Sequence, residues 1–371
     1  MNPKLVVGVI FGGRSGEHEV SLMSATSVVN ALDPTKYEVI QIGITHDGRW
    51  LSGSDTLQAF QQGSLDTLEP VVILPEPGRR ALYAMGEKHE LTLLRKLDVV
   101  FPVLHGTFGE DGTLQGMLEM AEIAYVGAGV LASSVAMDKG LFKDVMRVHG
   151  IPVVETIVLR SDQIEKSIDD CLRQAQALAP YPLFTKPANM GSSVGVSKAN
   201  NRQQLIQGLH DAARYDRRVL VERGLDAREI EVSVLGNEEP EASIAGEIVP
   251  GAEFYSYEAK YIDDTSELWI PAPLEDQLSG EIRSLAVAAF RAIDGAGMAR
   301  ADFLLERETD RIYINELNTI PGFTKISMYP KLWDASGLAY PALMDRLIDL
   351  ALQRRSQIDN LVRRYGDGHD D

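Results

Sequence analysis

The sequence predicts an α/β protein of two or three domains, and three observations support this prediction. The chain has 371 residues, which is more than one hydrophobic core usually supports, and 44% of them are hydrophobic. Short apolar runs alternate with segments of helix length near the amino terminus, a pattern typical of a mainly parallel sheet. Gly150-Ile151-Pro152 marks a break, after which a second series of strands and helices begins.

Four apolar runs predict the strands of the amino-terminal sheet, and glycine-rich loops follow the first and the fourth. Loops at the carboxyl ends of parallel strands are common ligand sites. Glu17 lies in the first loop, either as a first-turn acid matched to the helix dipole or as a functional carboxylate. His105 opens the second loop, where a hydrogen-bonded structural role is favoured over metal binding because no second histidine is near. The runs are LVVGVIF, YEVIQIGIT, VVIL and DVVFPVL.

The second series contains helices at residues 161–178 and 202–215 and the strands YPLFTKP and RVLVERGL. It lacks both the Walker motif and a strand-linked GxGxxG, which argues against those nucleotide sites. Lys186 precedes the loop Asn189–Gly195, whose small hydroxylated residues lie between glycines. This loop is either a phosphate cover, with backbone N–H groups close to oxyanions, or a plain surface loop.

The third series has the strands REIEVSVLG and SIAGEIV, an amphipathic helix near residues 278–293 and a last helix. In the last helix Leu343, Met344, Leu347 and Ile348 are predicted to face inward and close this domain. Between the strands and the amphipathic helix lies a polar and aromatic segment, residues 251–273. A loop of this length in a compact domain is usually a lid or an insert, and its aromatic residues favour a lid.

A hairpin within Arg300–Gly322 carries the most informative chemistry. Side chains alternate across a strand, so Ile314, Glu316 and Asn318 are expected on one face. A turn near Thr309 would then pair the two arms. Either this face is solvated, or its two carboxylates and amide oxygen hold Mg²⁺; the apolar FLL and IYI flanks favour a buried metal site. The predicted cross-strand pairs are Arg300 with Asn318, Asp302 with Glu316 and Leu304 with Ile314.

The net charge of −18 argues against a nucleic-acid or acidic-membrane partner, since either needs a basic surface. An anionic nucleotide would therefore need a local basic pocket. The amino terminus lacks a signal sequence and no run reaches membrane-spanning length, so we expect a cytoplasmic protein. The single cysteine, Cys171, excludes an internal disulfide, and its helical context indicates a structural thiol.

Seven motifs occur in the order seen in D-alanine:D-alanine ligases of the ATP-grasp superfamily, and nearly the whole chain resembles that family. The resemblance implies a three-domain α/β architecture, with an amino-terminal domain over residues 1–130, a central one over 131–225 and a carboxyl-terminal one over 226–371. Nucleotide would lie between the last two. The motifs are GGRSGEHEVS, HGTFGEDGTLQG, MDK, KPANMGSSVG, YEAKY, ARADF and NELNTIPGFTKISMYP.

The resemblance also implies an activity. Such ligases phosphorylate the carboxylate of one D-alanine with ATP, and the amino group of a second D-alanine attacks the acyl phosphate, giving D-alanyl-D-alanine for peptidoglycan precursors. The implied cofactors are ATP and two Mg²⁺ ions, with Mn²⁺ as a substitute. A homodimer is expected by analogy alone.

Residue roles carry over by the same resemblance. Glu17 would bind the ammonium of the first D-alanine, with Ser192 and Tyr261 linked to it by hydrogen bonds. Arg300 would stabilise the negative charge that develops during the reaction. The second carboxylate would lie at Ser327 and the backbone near Gly322, and His105 joins the substrate-binding set. The metal set is Asp302, Glu316 and Asn318; the ATP set is Lys139, Lys186, Ser192, Ser193, Glu222, Leu225, Glu229 and Lys260.

Two alternatives stay open from the sequence. One is a different ATP-grasp carboxylate–amine ligase, such as a D-alanine:D-serine or D-lactate variant, although Tyr261 favours D-alanine as the second substrate. The other is a non-catalytic nucleotide-binding module, for which loss of a metal residue or of Arg300 is expected, and neither is lost. Arg223 departs from the lysine that many relatives carry, with little consequence because adenine contacts there are largely to the backbone.

Overall fold

The computed structural model describes residues 3–249, 267–324 and 326–362, and these form three units, each built on one sheet with its flanking helices. The α/β fold class is confirmed. Most of the predicted lid, residues 251–266, and with it Lys260 and Tyr261, lies outside the described residues. Within the described part, no helix combines the length and the apolar character that crossing a membrane requires.

The first sheet has eight strands in the order β6-β5-β4-β3-β2-β1-β7-β8. Its central strand, β1, pairs in parallel with β2 and β7, and β7 pairs in parallel with β8. The predicted strand at Val71 is present as β4, but it pairs antiparallel on both sides. Short turns rather than helical crossovers connect β4 to its successors, so these strands must reverse direction. The strands are β1 Leu5–Gly12, β2 Tyr37–Ile44, β3 Trp50–Ser52, β4 Glu69–Ile73, β5 Ala81–Met85, β6 Leu91–Lys96, β7 Val99–Pro102 and β8 Ala124–Tyr125.

Five helices and a short 3₁₀ turn, Leu65–Thr67, accompany this sheet or follow it. The first helix begins immediately after Glu17, as the glycine-rich loop predicts. The fourth and fifth lie against the core of the third sheet. The helices are α1 His18–Ala31, α2 Thr56–Gln62, α3 Thr113–Met120, α4 Val130–Met137 and α5 Lys139–Val148.

The second sheet has four strands in the order β11-β10-β12-β9, all antiparallel. Its helices cover one face, and Cys171 is buried in their shared core as an unpaired thiol. The structural interpretation of this cysteine therefore holds. The elements are β9 Thr156–Arg160, α6 Ser161–Lys166, α7 Ile168–Leu178, β10 Leu183–Pro187, β11 Ser197–Ala199, α8 Arg202–Ala213 and β12 Arg218–Arg223.

The third sheet has five antiparallel strands in the order β15-β14-β13-β16-β17. Its inner face packs on α9, the amphipathic helix that the apolar spacing predicts. The elements are β13 Ala227–Gly236, β14 Glu241–Val249, β15 Glu267–Trp269, α9 Asp276–Ala292, β16 Gly297–Glu306, β17 Ile312–Asn318, α10 Met328–Ala335 and α11 Tyr340–Asp359. The domain boundaries after residues 130 and 225 stay a prediction.

The hairpin β16–β17 confirms two predicted pairs and corrects the third. Arg300 lies opposite Asn318 and Asp302 opposite Glu316, but Leu304 lies opposite Tyr313 instead of Ile314. The register shifts between Asp302 and Phe303, which leaves one extra residue in β17. Ile314 therefore turns into the apolar core, where it is 1% exposed, and does not share a face with Glu316.

One apolar core joins the first and third sheets. The ring of Phe323 lies edge-on to Phe101 of β7, at 5.8 Å between centroids, and 5.4 Å from Tyr329 of α10. The predicted inward face of α11 is buried, but it packs against the first sheet as well as closing the third unit. Movement of these two units against each other would break this core.

We expect Phe323→Ala to lower the free energy of unfolding by about 3–5 kcal/mol, because it removes a fully buried ring and leaves a cavity. Denaturant unfolding measures the change. Phe108→Ala is the matched control, since that ring is 44% exposed, and it should change stability by less than about 1 kcal/mol. Equal losses in the two variants would contradict the shared core.

Candidate active site

A cavity of about 820 Å³ lies where the three units meet. The first unit contributes side chains from its glycine-rich loops, and the second contributes them from the loop Asn189–Gly195, called the serine loop below. The third contributes them from the hairpin and from the NTIPG segment at its end, residues 318–322. The structure therefore gathers into one cavity residues that are far apart in sequence. Of the residues predicted from the sequence, Glu17, His105, Lys139, Ser192, Arg300, Glu316, Asn318, Gly322 and Ser327 line it.

Glu17 links the first unit to the serine loop. The Ser192 hydroxyl donates a hydrogen bond to Glu17 Oε1. Ser192 and Ser193 have φ of 49° and 58°, a left-handed conformation that costs energy in non-glycine residues. A Cβ atom on Gly106 or Gly191 would lie 2.5 or 2.7 Å from Glu17 Oε2, so a side chain at either position would displace the Glu17 carboxylate. Glu17 is thus more than a first-turn acid, because its carboxylate contacts another unit.

Both ring nitrogens of His105 have hydrogen-bond partners. Its Nε2 lies 3.0 Å from Ser24 Oγ, and its Nδ1 lies 2.9 Å from the carbonyl oxygen of Ile320. Burial lowers the pKa of His105, which favours the neutral ring. The predicted hydrogen-bonded structural role is confirmed, and the same ring lines the cavity.

Glu110 is a cavity residue that the sequence analysis missed. Its Oε2 accepts from the Gly106 N–H at 2.7 Å, and its Oε1 accepts from the Ile320 N–H at 3.0 Å. It therefore joins the second glycine-rich loop to the NTIPG segment. Burial, followed by the nearby charge of Glu17, raises the pKa of Glu110 to about 8. Its place in a GEDG turn gave no signal of that burial.

The cavity-side face of the hairpin is a network of charged groups that is largely shielded from solvent. Arg300 donates two hydrogen bonds of 2.7 Å to the two oxygens of Asp302, and its Nε lies 3.0 Å from Glu231. The Asn318 amide donates to Asp302 at 2.9 Å. Glu231 was missed, although the E-x-E alternation of β13 could have placed it opposite Asp302, as the register does.

The carboxylate and amide oxygens on this face are suitable ligands for a hard divalent cation. Asp302 and Glu316 are directly opposed, and the Asn318 amide nitrogen faces Asp302, which leaves its oxygen for other contacts. Within the three described segments, no group of three or more His, Cys, Asp or Glu side chains suits a metal ion. Two carboxylates with an amide oxygen still suit Mg²⁺, which keeps water and substrate phosphates as its other ligands.

Lysines supply local positive charge next to this face. Lys139 Nζ lies 3.3 Å from Glu316 and donates to the Met190 carbonyl at 2.8 Å. Lys186 Nζ lies 2.5 Å from Glu222 Oε2. Although burial opposes both shifts, this pairing raises the pKa of Lys186, and the neighbouring lysines hold the pKa of Glu222 well below its usual range. The acidic chain therefore places two cations beside this face, each of them paired with a carboxylate.

The remaining predicted residues lie around the cavity. Ser327 Oγ accepts from the Thr324 N–H at 3.1 Å, directly beside Gly322. Leu225 lies in the link between β12 and β13, and Glu229 lies on β13 opposite Leu304. Lys186, Ser193, Glu222, Leu225, Glu229 and Asp302 are not among the described residues that line the cavity.

The comparisons with known proteins cover nearly the whole chain. Residues 6–128 match the family model for the D-ala D-ala ligase N-terminus, and residues 145–349 match that for the C-terminus. A D-alanine–D-alanine ligase of Natranaerobius thermophilus is 48% identical over 357 residues, which is 96% of this chain and 97% of the relative.

Solved structures give the same result. The D-alanine-D-alanine ligase of Coxiella burnetii has a TM-score of 0.80 and 35% identity, covering 96% of this chain and 97% of its own. The VanG D-Ala:D-Ser ligase of Enterococcus faecalis has a TM-score of 0.84 and 32% identity, covering 94% of this chain and 100% of its own. With both family models matched and near-complete coverage by these relatives, the chain belongs to the D-alanine–D-alanine ligase family.

Proposed function

We propose that this cavity joins two D-alanine molecules into D-alanyl-D-alanine at the expense of ATP, through an acyl phosphate, for peptidoglycan synthesis. Family membership supports the reaction. The observation that carries the proposal is the hydrogen bond between Glu17 and Ser192, in the same cavity as Arg300 and Glu316. A carboxylate suited to an ammonium, Glu17, therefore shares one cavity with Arg300, which suits phosphate, and with Glu316, which suits a metal ion.

The reaction needs ATP because a free carboxylate is a poor electrophile and peptide formation in water is uphill. Transfer of the γ-phosphoryl group to the carboxylate of the first D-alanine forms an acyl phosphate and releases ADP. The amino group of the second D-alanine then attacks the acyl carbon, and phosphate leaves. The protein contributes positioning and charge neutralisation to such a transfer.

The nucleotide is proposed to lie along the lysine side of the cavity. Lys139 and Lys186, together with Lys260, would contact phosphate oxygens, and the backbone at Ser192 and Ser193 would cover them. Glu222, Leu225 and Glu229 would hold adenine and ribose. Lys139 lies 3.3 Å from Glu316 on the hairpin, and Lys186 pairs with Glu222 and is near the charge of Glu316. The other assignments rest on the family pattern.

Asp302, Glu316 and Asn318 are proposed to hold two Mg²⁺ ions. When bound, these ions would neutralise negative charge on the phosphate oxygens. The carboxylates already face positive groups, Arg300 at Asp302 and Lys139 at Glu316, so this side of the cavity is arranged for cations.

Arg300 is proposed to stabilise the negative charge on the transferring phosphoryl group and on the tetrahedral intermediate. The guanidinium is held by Asp302 and Glu231, so its direction is fixed before substrate binds. Donors that are oriented in advance lower the barrier because no reorganisation is needed during the reaction.

The amino-acid substrates are proposed to lie on the opposite side. Glu17 would bind the ammonium of the first D-alanine, and Ser192 with Tyr261 would close over it. Ser327 and the backbone at Gly322 would bind the carboxylate of the second, beside His105. The segment 251–273 is proposed as a lid over the substrates. The domain boundaries are proposed to follow residues 130 and 225.

A D-serine acceptor is the alternative, since one similar structure is a D-Ala:D-Ser ligase. Product identification after incubation with ATP, Mg²⁺ and D-alanine tests the proposal, with D-serine, D-lactate and L-alanine as competing acceptors. D-alanyl-D-alanine should be the main product. A mixed product formed in preference would select the alternative.

We also propose a homodimer in the cytoplasm, which light scattering and cell fractionation can test.

Removing one proposed metal ligand should abolish turnover with the fold intact. We expect Asp302→Asn or Glu316→Gln to lower kcat by about 10²-fold or more, because charge on the transferring group loses its counter-ions. Coupled ADP release measures kcat, and circular dichroism checks the fold. Glu308→Gln, in the exposed turn of the same hairpin, is the control. Near-normal turnover in either variant would contradict the metal assignment.

Glu17→Gln should raise the KM for the first D-alanine by about 10- to 100-fold, because a charged hydrogen bond to the ammonium becomes a neutral one. Steady-state kinetics at saturating ATP measure the effect. The control is Glu19→Gln, whose carboxylate is 67% exposed and pairs only with a solvent-facing histidine among the described residues. An unchanged KM in Glu17→Gln would exclude this role.

Glu110, beside the proposed ammonium site, should make stability depend on pH. Its pKa is raised from the ordinary 4.5 to about 8, so the folded protein keeps a proton that the unfolded chain releases within this range. The group therefore reduces stability as pH rises through that window. In Glu110→Gln the decrease in melting temperature from about pH 5 to about pH 8 should be smaller than in the wild type.

The control for this prediction is Glu87→Gln, at an exposed position of the first unit. It should keep the wild-type slope of melting temperature against pH. Parallel slopes in Glu110→Gln and the wild type would show that Glu110 does not bind a proton on folding.

A further inference from the structure

Lys143 is a buried charged residue that the proposed reaction does not use. It lies one turn after Lys139 on α5, and its side chain is 1% exposed. Its Nζ lies 3.0 Å from Glu222 Oε1, and within the described segments this is its only ion pair. A lysine is rarely buried this deeply without a specific partner, so its place at Glu222 needs an explanation.

Glu222 is shared by two lysines. Lys143 faces one carboxylate oxygen and Lys186 faces the other, while the Thr156 hydroxyl donates to Oε1 at 3.3 Å. The Glu316 carboxylate adds negative charge near both lysines, and Glu229 does so near Lys186. Glu222 is nevertheless the carboxylate that both ammonium groups contact, so its oxygens and an arriving phosphate would compete for Lys186.

The two lysines differ in how readily each can move away from Glu222. Lys186 is the last residue but one of β10, three positions before the serine loop begins, and its side chain is 15% exposed. Lys143 is 1% exposed on α5, whose Phe142 and Met146 are buried in the core of the third sheet. Lys186 can therefore turn toward a ligand, whereas Lys143 stays against Glu222.

We propose that Lys143 is a positioning residue for the nucleotide: it serves as the fixed counter-ion of Glu222 and so releases Lys186 to the phosphates of ATP. This inference rests on the proposed function, in which Lys186 contacts phosphate and Glu222 contacts adenine. Without Lys143, Glu222 has Lys186 alone, and phosphate must compete with a buried carboxylate for that ammonium.

The experiment is a double-mutant cycle on Lys143 and Glu222. The variants are Lys143→Met, which keeps length without charge, Glu222→Gln, and the two combined. Calorimetry measures the Kd of the non-hydrolysable analogue AMPPNP with Mg²⁺, and steady-state kinetics measure the KM for D-alanine. Lys166→Met is the control, since that side chain is 75% exposed on α6.

Lys143→Met alone should weaken nucleotide binding by about 30-fold or more, the size expected when a buried charge pair loses one partner. The KM for D-alanine should stay unchanged. In the Glu222→Gln background the same substitution should change Kd by less than about 3-fold, because the competing carboxylate is gone. Lys143→Gln keeps a donor to Glu222 without the charge, and it should behave as Lys143→Met does.

An equal loss of affinity in both backgrounds would overturn the inference, because a packing role does not depend on the charge of Glu222. Wild-type affinity in Lys143→Gln would also overturn it, and this variant serves if Lys143→Met does not fold. The binding measurement needs no D-alanine. A wild type that binds nucleotide but forms no D-alanyl-D-alanine would therefore refute the proposed function separately.

Discussion

Positive charge in this acidic protein has to be local, and three described cations of the site are each held by a carboxylate. Lys139 lies against Glu316, Lys186 against Glu222 and Arg300 against Asp302. These pairs allow a chain of net charge −18 to present cations to an anionic nucleotide without a basic surface. The pairs of Lys139 and Arg300 also fix these two cations before the ligand arrives, which reduces the entropic cost of binding.

The apolar frame determines where these pairs lie. The bulge in β17 sends Ile314 into the core and leaves Glu316 on the cavity side, so the metal face and the core face coexist on one short strand. Phe323 then anchors the NTIPG segment between the first and third sheets. Because packing is dense there, the segment that carries Gly322 cannot shift without breaking the core.

Much of this arrangement could be predicted from the sequence, because it depends on local pattern. Alternation in the hairpin predicted Arg300 opposite Asn318 and Asp302 opposite Glu316, and the bulge was missed because the core's demand for Ile314 overrides the two-residue period. The antiparallel direction of β4 was missed because an apolar run carries no information on its pairing partner.

Residues whose role depends on tertiary burial were also missed. Glu110 and Lys143 look like ordinary surface charges in the sequence, and only the packing of other units around them makes their charges expensive. Glu231 differs, since period two within β13 could have placed it on the site face. Local spacing thus predicts which side chains share a strand, whereas contacts between units need the folded chain.

The serine loop is held from both sides of the cavity, and this connects the two halves of the proposed reaction. Lys139 binds the Met190 carbonyl while also pairing with Glu316, so the nucleotide side fixes one point of the loop. Glu17 accepts from Ser192, so the amino-acid side fixes another point two residues later. A phosphate at Lys139 and an ammonium at Glu17 would both act on this short loop. On the proposed function, the position of the loop would depend on both substrates, which would favour closure only when the two are bound together.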